Sequence, residues 1–412
     1  MKVAINQERL LAEIEELAAI SEADPPAITR ILFSPRDLEA RAWLRTKLNA
    51  AGLAVRQDAI GNIFARWPGT DAATTPVATG SHIDAIPNAG RYDGVVGVLG
   101  GLEAIRALKQ CGFLPTRSID LIMFTAEEPT RFGIGCLGSR MLSGALSPQS
   151  ARLLKDNSGQ FLEDIREKAG MLGDLESVPL PNGCYNAFIE LHIEQGPLLE
   201  RAQVPLGIVE SIAAPASFQV FVEGAGGHAG ALLMSDRKDS LCAAAEIILA
   251  IEAAARSSGS QDTVATAGIC EVFPGAVNSV PARVRLSLDA RDTDLARRDR
   301  VLKVIQDKSQ EVARNRSVSV RFEMVNVDKP ATCSSLVVNS LEQACREHAL
   351  PFQKMVSRAY HDSLFMSRIA PAGMLFIPCR NGFSHRPDEF ASPDDIVRGA
   401  LVLAETLASL AG

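Results

Sequence analysis

Five short segments of this chain concentrate residues that could do chemistry. Gly80-Ser81-His82-Ile83-Asp84 closes an apolar run, and His82 and Asp84, two apart, face the same way on an extended chain. A carboxylate beside a histidine can fix its tautomer and turn the other ring nitrogen toward a metal. Arg91-Tyr92-Asp93-Gly94 follows, just before an expected helix. Thr125-Ala126-Glu127-Glu128-Pro129 ends the most apolar run, Leu191-His192-Ile193-Glu194-Gln195-Gly196 ends another, and Phe383-Ser384-His385-Arg386-Pro387-Asp388-Glu389 lies near the C-terminus. Each segment alone also fits a structural role, since a single strand-end histidine is commonly a hydrogen-bonded core residue and a glutamate pair a solvated face. Taken together, three His, one Asp and two Glu at the ends of buried strands are the parts of a two-metal hydrolytic site. Imidazole with carboxylate suits Zn²⁺ or Mn²⁺ better than Mg²⁺ or Ca²⁺.

The elements that must position these segments can be read from pattern. Ser34-Pro35-Arg36-Asp37 has an N-cap, a proline at the first helical position and an acidic first turn, opening a helix to about Asn49 with Gly52 just beyond. LAVRQD and NIFARW alternate as a hairpin. Buried strands are expected at PVATGSH, SIDLIMFTAEE and AFIELHIEQG, with a helix over 94–110 between the first two. Strands alternating with helices predict an α/β layer with a mixed, mostly parallel sheet. The style changes after Glu210: strand 217–223, helix 236–256, strands 263–272 and 282–291, helix 295–314 and strand 318–325. That succession is the ferredoxin-like βαββαβ unit. A helix at 334–348, a strand at 374–377 and a helix at 394–411 then restore the α/β style. The expected organisation is a catalytic domain built from 1–212 and 328–412, with a smaller domain inserted at 213–327.

Composition bounds the partners. The chain has 412 residues, 47% hydrophobic and 22% charged, with a formal net charge of −7. Extended disorder is not expected, and a general nucleic-acid or anionic-membrane surface is disfavoured. The N-terminus lacks a long apolar stretch preceded by basic residues, and no run approaches the roughly 20 apolar residues of a membrane span, so a cytoplasmic protein is expected. Eight scattered cysteines without CxxC spacing read as buried thiols rather than a disulfide framework or zinc ribbon.

The ordered set GSHIDAIPNAGRYDG, FTAEEPTRFG, LHIEQGP and GFSHRPDE resembles the amidohydrolase branch of the M20 metallopeptidase family, over nearly the whole chain. This branch includes N-carbamoyl-L-amino acid hydrolases, β-ureidopropionase, allantoate amidohydrolase and ureidoglycolate amidohydrolase. The resemblance implies two divalent metal ions, Mn²⁺ or Zn²⁺, a homodimer and an inserted lid or dimerisation domain. Residue by residue, it implies His82 and His192 on one metal, Glu128 and His385 on the other, Asp93 bridging, and Glu127 as general base. Asp84 would support His82 from behind. His228, in Gly226-Gly227-His228-Ala229-Gly230, would stabilise the oxyanion, in the family from the partner subunit's lid. Arg291 would clamp a substrate carboxylate, and Asn278 and Gln195 would hydrogen-bond substrate. An isolated Asp289-Ala290-Arg291-Asp292 would otherwise read as a surface ion pair.

Within the branch this chain departs from the ordinary carbamoylase pattern. It has His228-Ala229-Gly230-Ala231-Leu232 where those show HAGTT, and Tyr360 where they carry glycine before His361-Asp362. EEPTRFGIGCLGSR, SRAYHDSLFMSRIAP, SGSQDTV and VFPGAVNSVPA are similar instead to plant-type ureidoglycolate amidohydrolases. The expected substrate is therefore a small carboxylated ureide, with carbamoyl amino acids or allantoate as alternatives. Tyr360 and His361 are candidate substrate contacts, Tyr360 with a packing role as its alternative.

Overall fold

The four central strands of the largest sheet run parallel; three end on polar segments, and the fourth leads through a short turn to the segment around His385. In the computed structural model, which describes residues 2–412, the strands lie in the order Ala54–Gln57, Ile63–Trp67, Ile119–Phe124, Val77–His82, Ala187–Ile193, Ala372–Ile377, Gly207–Ile212. Val77–His82 pairs in parallel with both Ile119–Phe124 and Ala187–Ile193, and Ala372–Ile377 pairs in parallel with Ala187–Ile193. The flanking pairs are antiparallel, so the sheet is mixed. Its central strands are apolar because both faces are covered. Along Ala187–Ile193 every residue is buried. Leu191 packs under the helices Val95–Gln110 and Pro393–Ala411, where a Cβ on Gly100 or Gly399 would meet its methyl groups at 2.9 and 2.8 Å. Phe188 lies in the core cluster of Phe124, Leu137, Met141 and Met366. Side chains alternate along the strand, so Glu190 and His192 share the Phe188 side.

The helix Pro35–Ala50 is capped by the Ser34 side chain, which accepts from the Asp37 N–H. The hairpin of Ala54–Gln57 and Ile63–Trp67 forms in antiparallel register. Asp58 closes its turn by accepting the amides of Ile60, Gly61 and Asn62. The helix Gln7–Ala18, capped by Asn6, and the strand pair Ile28–Arg30 with Ala85–Ala89 stand outside the elements expected from pattern.

The chain divides into two units: Met1–Glu210, Thr332–Met355 and His361–Gly412 form one, Ser211–Ala331 and Val356–Tyr360 the other. In the second unit an antiparallel sheet has the order Val264–Thr266, Arg283–Asp292, Ala214–Glu223, Ser319–Val327. The helices Ser240–Arg256 and Leu295–Arg316 cover one face, burying Val220, Val222, Leu286 and Leu288 against Ile247, Ile251 and Ile305. The strand expected over 263–272 is interrupted. Thr266 opposes Asp289 and Cys270 opposes Leu286 on the same neighbour. Four steps on one strand therefore face three on the other, and the extra residue makes a bulge. Among the described residues no helix is long and apolar enough to cross a membrane.

Candidate active site

The carboxyl ends of the parallel strands and the segments beyond them bring His82, Asp84, Asp93, Glu127, Glu128, His192, Gln195 and His385 into the first unit, and the turn before Asp362–Met366 adds His361. Asp93 is the centre. Its Oδ1 lies 3.1 Å from His192 Nε2 and 3.7 Å from His82 Nε2. Its Oδ2 lies 3.2 Å from His385 Nε2, which is also 3.2 Å from Glu128 Oε1. Two groups of ligand-type atoms result, His82–Asp93–His192 and Asp93–Glu128–His385, and they share Asp93. Imidazole nitrogens and carboxylate oxygens converging this way fit divalent cations.

The other ring nitrogens are occupied. His82 Nδ1 lies 3.1 Å from the Asp84 carbonyl, and His192 Nδ1 lies 2.9 Å from the Ile193 carbonyl. Each Nδ1 therefore carries the proton toward the backbone and leaves Nε2 facing Asp93. Gly94 permits this arrangement. It sits at φ 68°, and a Cβ there would lie 2.4 Å from the His82 ring.

Asp84 meets the His82 ring through its backbone carbonyl rather than its carboxylate. Its Oδ1 is 3.6 Å from His82 Nδ1, too long for a strong hydrogen bond. Its two oxygens instead accept the backbone N–H groups of Glu127 and Glu128, at 3.2 and 3.1 Å. From the other side the amides of Cys136, Leu137 and Gly138 donate to the carbonyls of Glu127, Ala126 and Thr125. The glutamate pair is thus clamped, and Ala126 is held at φ 51° so that the chain turns sharply out of the strand. Gln195 and His385 are also left-handed, at φ 55° and 58°. Such backbone strain in non-glycine residues gathers where a site imposes geometry.

Glu127 and Glu128 point to different partners, as adjacent strand-end residues should. Glu128 faces His385. Glu127 Oε1 accepts from the Cys136 thiol at 3.3 Å, and its Oε2 lies 3.8 Å from His82 Nε2. Burial pushes the Glu127 carboxyl well above the usual range; His82 opposes this and Glu128 adds to it. Burial also opposes ionisation of Asp93, but the imidazoles of His192, His385 and His82 that face it win and hold its carboxyl well below the usual range.

Glu190 carried no sequence signal. Glu190 accepts from Ser81 Oγ at 2.8 Å and from the Ser363 amide and hydroxyl at 3.0 and 2.7 Å. It ties the His82 and His192 strands to the His361 turn. The His361 ring is buried 4.4 Å from that of His192. The Gln195 amide, expected on substrate, here donates to Asp93 Oδ2 at 2.7 Å.

The remaining candidates lie in the second unit. His228 and Asn278 are neighbours: His228 pairs with Ser279, and the Asn278 carbonyl accepts the Ala229 amide at 2.9 Å. His228 is exposed, and its Nδ1 accepts the Gly230 amide at 3.1 Å. Arg291 is held by Asp289, with Nε to Oδ1 at 2.6 Å, and its guanidinium lies 5.2 Å from the centre of the Tyr360 ring.

A pH dependence follows from His385. Hydrogen bonds to Asp93 and Glu128 hold its imidazolium up to about 11. The folded value lies above the ordinary one near 6.5, so this proton stabilises the metal-free fold fully below 6.5 and is lost as pH rises through about 11. A cation at His385 must displace it. Cation uptake is expected to release protons and to tighten as pH rises from about 7 to 9. Calorimetry in buffers of different ionisation heat measures this, and a pH-independent affinity would exclude His385 as a ligand.

The model of peptidase family M20/M25/M40 matches residues 78–409. A ureidoglycolate hydrolase of Oryza sativa subsp. japonica is 49% identical over 98% of this chain and 85% of its own length. An N-carbamoyl-L-amino-acid amidohydrolase of Pseudomonas is 37% identical over 98% of both. The crystal structure of AtUAH in complex with glyoxylate superposes with a TM-score of 0.93 at 48% identity, covering 99% of this chain and 98% of that one.

Proposed function

Because this chain belongs to peptidase family M20/M25/M40, we propose that its site is that of a metal-dependent amidohydrolase cleaving the ureido C–N bond of (S)-ureidoglycolate. One observation carries the substrate: identity to the rice ureidoglycolate hydrolase is 49% across 98% of the chain, against 37% to the carbamoyl amino acid enzyme. The site supplies the chemistry. His82 and His192 would hold one divalent cation, Glu128 and His385 a second, and Asp93 both. When bound, such a pair acidifies water and polarises the scissile carbonyl.

The protein's own groups do the rest. Glu127 takes the proton of the attacking water and delivers it to the departing nitrogen. The carbamate released decays to CO₂ and ammonia, and the hydroxyglycine loses ammonia to give glyoxylate. Arg291 pairs with the substrate carboxylate in a bidentate contact that lysine makes poorly. His228 donates to the oxyanion, Asn278 and Gln195 hydrogen-bond the ureide, and His361 and Tyr360 contact it. Tyr360 also lies beside the Arg291 guanidinium. The second unit would serve as lid and dimerisation domain of a cytoplasmic homodimer.

Metal-stripped protein reloaded with Mn²⁺ or Zn²⁺ is expected to release ammonia fastest from ureidoglycolate. The comparison is with allantoate, N-carbamoyl amino acids and N-carbamoyl-β-alanine at equal concentration. Preference for any of the three would overturn the substrate.

A further inference from the structure

We propose that Glu389 is a positioning residue for the Asp93 bridge, locking that carboxylate and the His385 turn into one hydrogen-bonded unit; the inference rests on the two-cation reading above. Glu389 ends the FSHRPDE segment and is buried. Its Oε1 accepts the amides of Tyr92 and Asp93, at 2.8 and 3.2 Å, although they lie 297 and 296 positions away in sequence. Its Oε2 is 2.9 Å from Ser384 Oγ, and Ser384 Oγ is 2.8 Å from Asp93 Oδ2; the one hydroxyl proton serves a single carboxylate, so with that proton on Asp93 Oδ2 the link closes through a proton that Glu389 Oε2 donates to the serine oxygen. One side chain therefore fixes both the backbone and, through Ser384, the carboxylate of Asp93.

The same turn presents His385 to Oδ2 of that carboxylate. Ser384 and His385 are consecutive, and His385 is held at φ 58°. Movement of the turn would displace a ligand-type imidazole and the hydroxyl that orients the bridge together. The fit around Glu389 is close: a Cβ on Gly90 would lie 2.3 Å from the Glu389 Cβ and Oε1. Residues behind metal ligands that set ligand orientation typically change affinity about 10–100-fold when removed. Glu389 is placed to act on both cation positions, because Asp93 serves both.

The test is zinc competition against a chromophoric chelator on metal-stripped full-length protein, with melting of the metal-free form followed in parallel. Glu389→Ala is expected to weaken zinc binding about 10–100-fold. Glu389→Gln is expected to restore most of it, since its carbonyl can accept the same two amides and its amide nitrogen can meet Ser384. Ser384→Ala leaves the Glu389–amide contacts and cuts only the link to Asp93 Oδ2; a loss of about 10-fold is expected. It keeps the test open should Glu389→Ala fail to fold. Wild-type affinity in Glu389→Ala or in Ser384→Ala overturns the proposal. So does a loss in Glu389→Ala that Gln does not repair. Wild-type protein that takes up no zinc overturns the two-cation reading itself, an outcome separable from both.

Discussion

Glu127→Gln is expected to leave cation uptake intact and to lower kcat by about 10²–10⁴. Glu127 belongs to neither of the two ligand groups that share Asp93. Its Oε1 is engaged by the Cys136 thiol, and Oε2 faces the site near His82. Glutamine keeps this shape, but its amide cannot take a proton. Metal content and steady-state ammonia release on the same preparation check the expectation. Normal turnover would remove Glu127 as the base, and loss of metal would reassign it as a ligand.

The backbone around Glu127 is as important as its side chain. Asp84 takes the two N–H groups of the glutamate pair, and the 136–138 amides take the carbonyls before and at Glu127. A carboxylate held from both sides would spend little free energy on orientation if it serves as the proposed base. Cys136 completes this clamp, with its amide on the Glu127 carbonyl and its thiol on the carboxylate.

Legibility in the sequence followed range. His82, the Glu127–Glu128 pair and His192 end apolar runs, and buried parallel strands must be apolar throughout, so the strand ends announce themselves. The Ser34 cap and the hairpin before Ile63 are likewise local chemistry. Asp93 precedes a helix without any strand to mark it; only the resemblance suggested that it bridges. Contacts across hundreds of residues left no pattern: Glu389 with Tyr92, Glu190 with Ser363, and Gln195 with Asp93. Asp84 was readable as an acid near His82 but not as an acceptor for two amides more than 40 positions away. The left-handed turns at Ala126, Gln195 and His385 gave no warning because none is glycine. The bulge between Thr266 and Cys270 was hidden for a different reason: one unpaired residue barely disturbs a run of β-forming side chains.

Asp93→Asn should have the opposite signature to Glu127→Gln, abolishing turnover by removing the cations rather than the base. Asp93 Oδ2 receives the Gln195 amide and lies near Ser384 and His385, so an asparagine must keep its carbonyl on that side. Its NH₂ then replaces Oδ1, 3.1 Å from His192 Nε2, and offers a donor where a cation needs a lone pair. The change also removes the one negative charge shared by both groups. Affinity at both positions is expected to fall by more than the roughly 100-fold that marks the upper range for residues merely supporting ligands. In metal-free protein His385 should titrate well below its present value of about 11, because Asp93 is the larger of the two contacts that raise it. Chelator competition counts the sites lost, and NMR of the histidine rings follows the titration. A variant that kept one cation at wild-type affinity and lost only the other would assign Asp93 to a single ion, and the strand-end histidines His82 and His192 would then have to hold theirs without it.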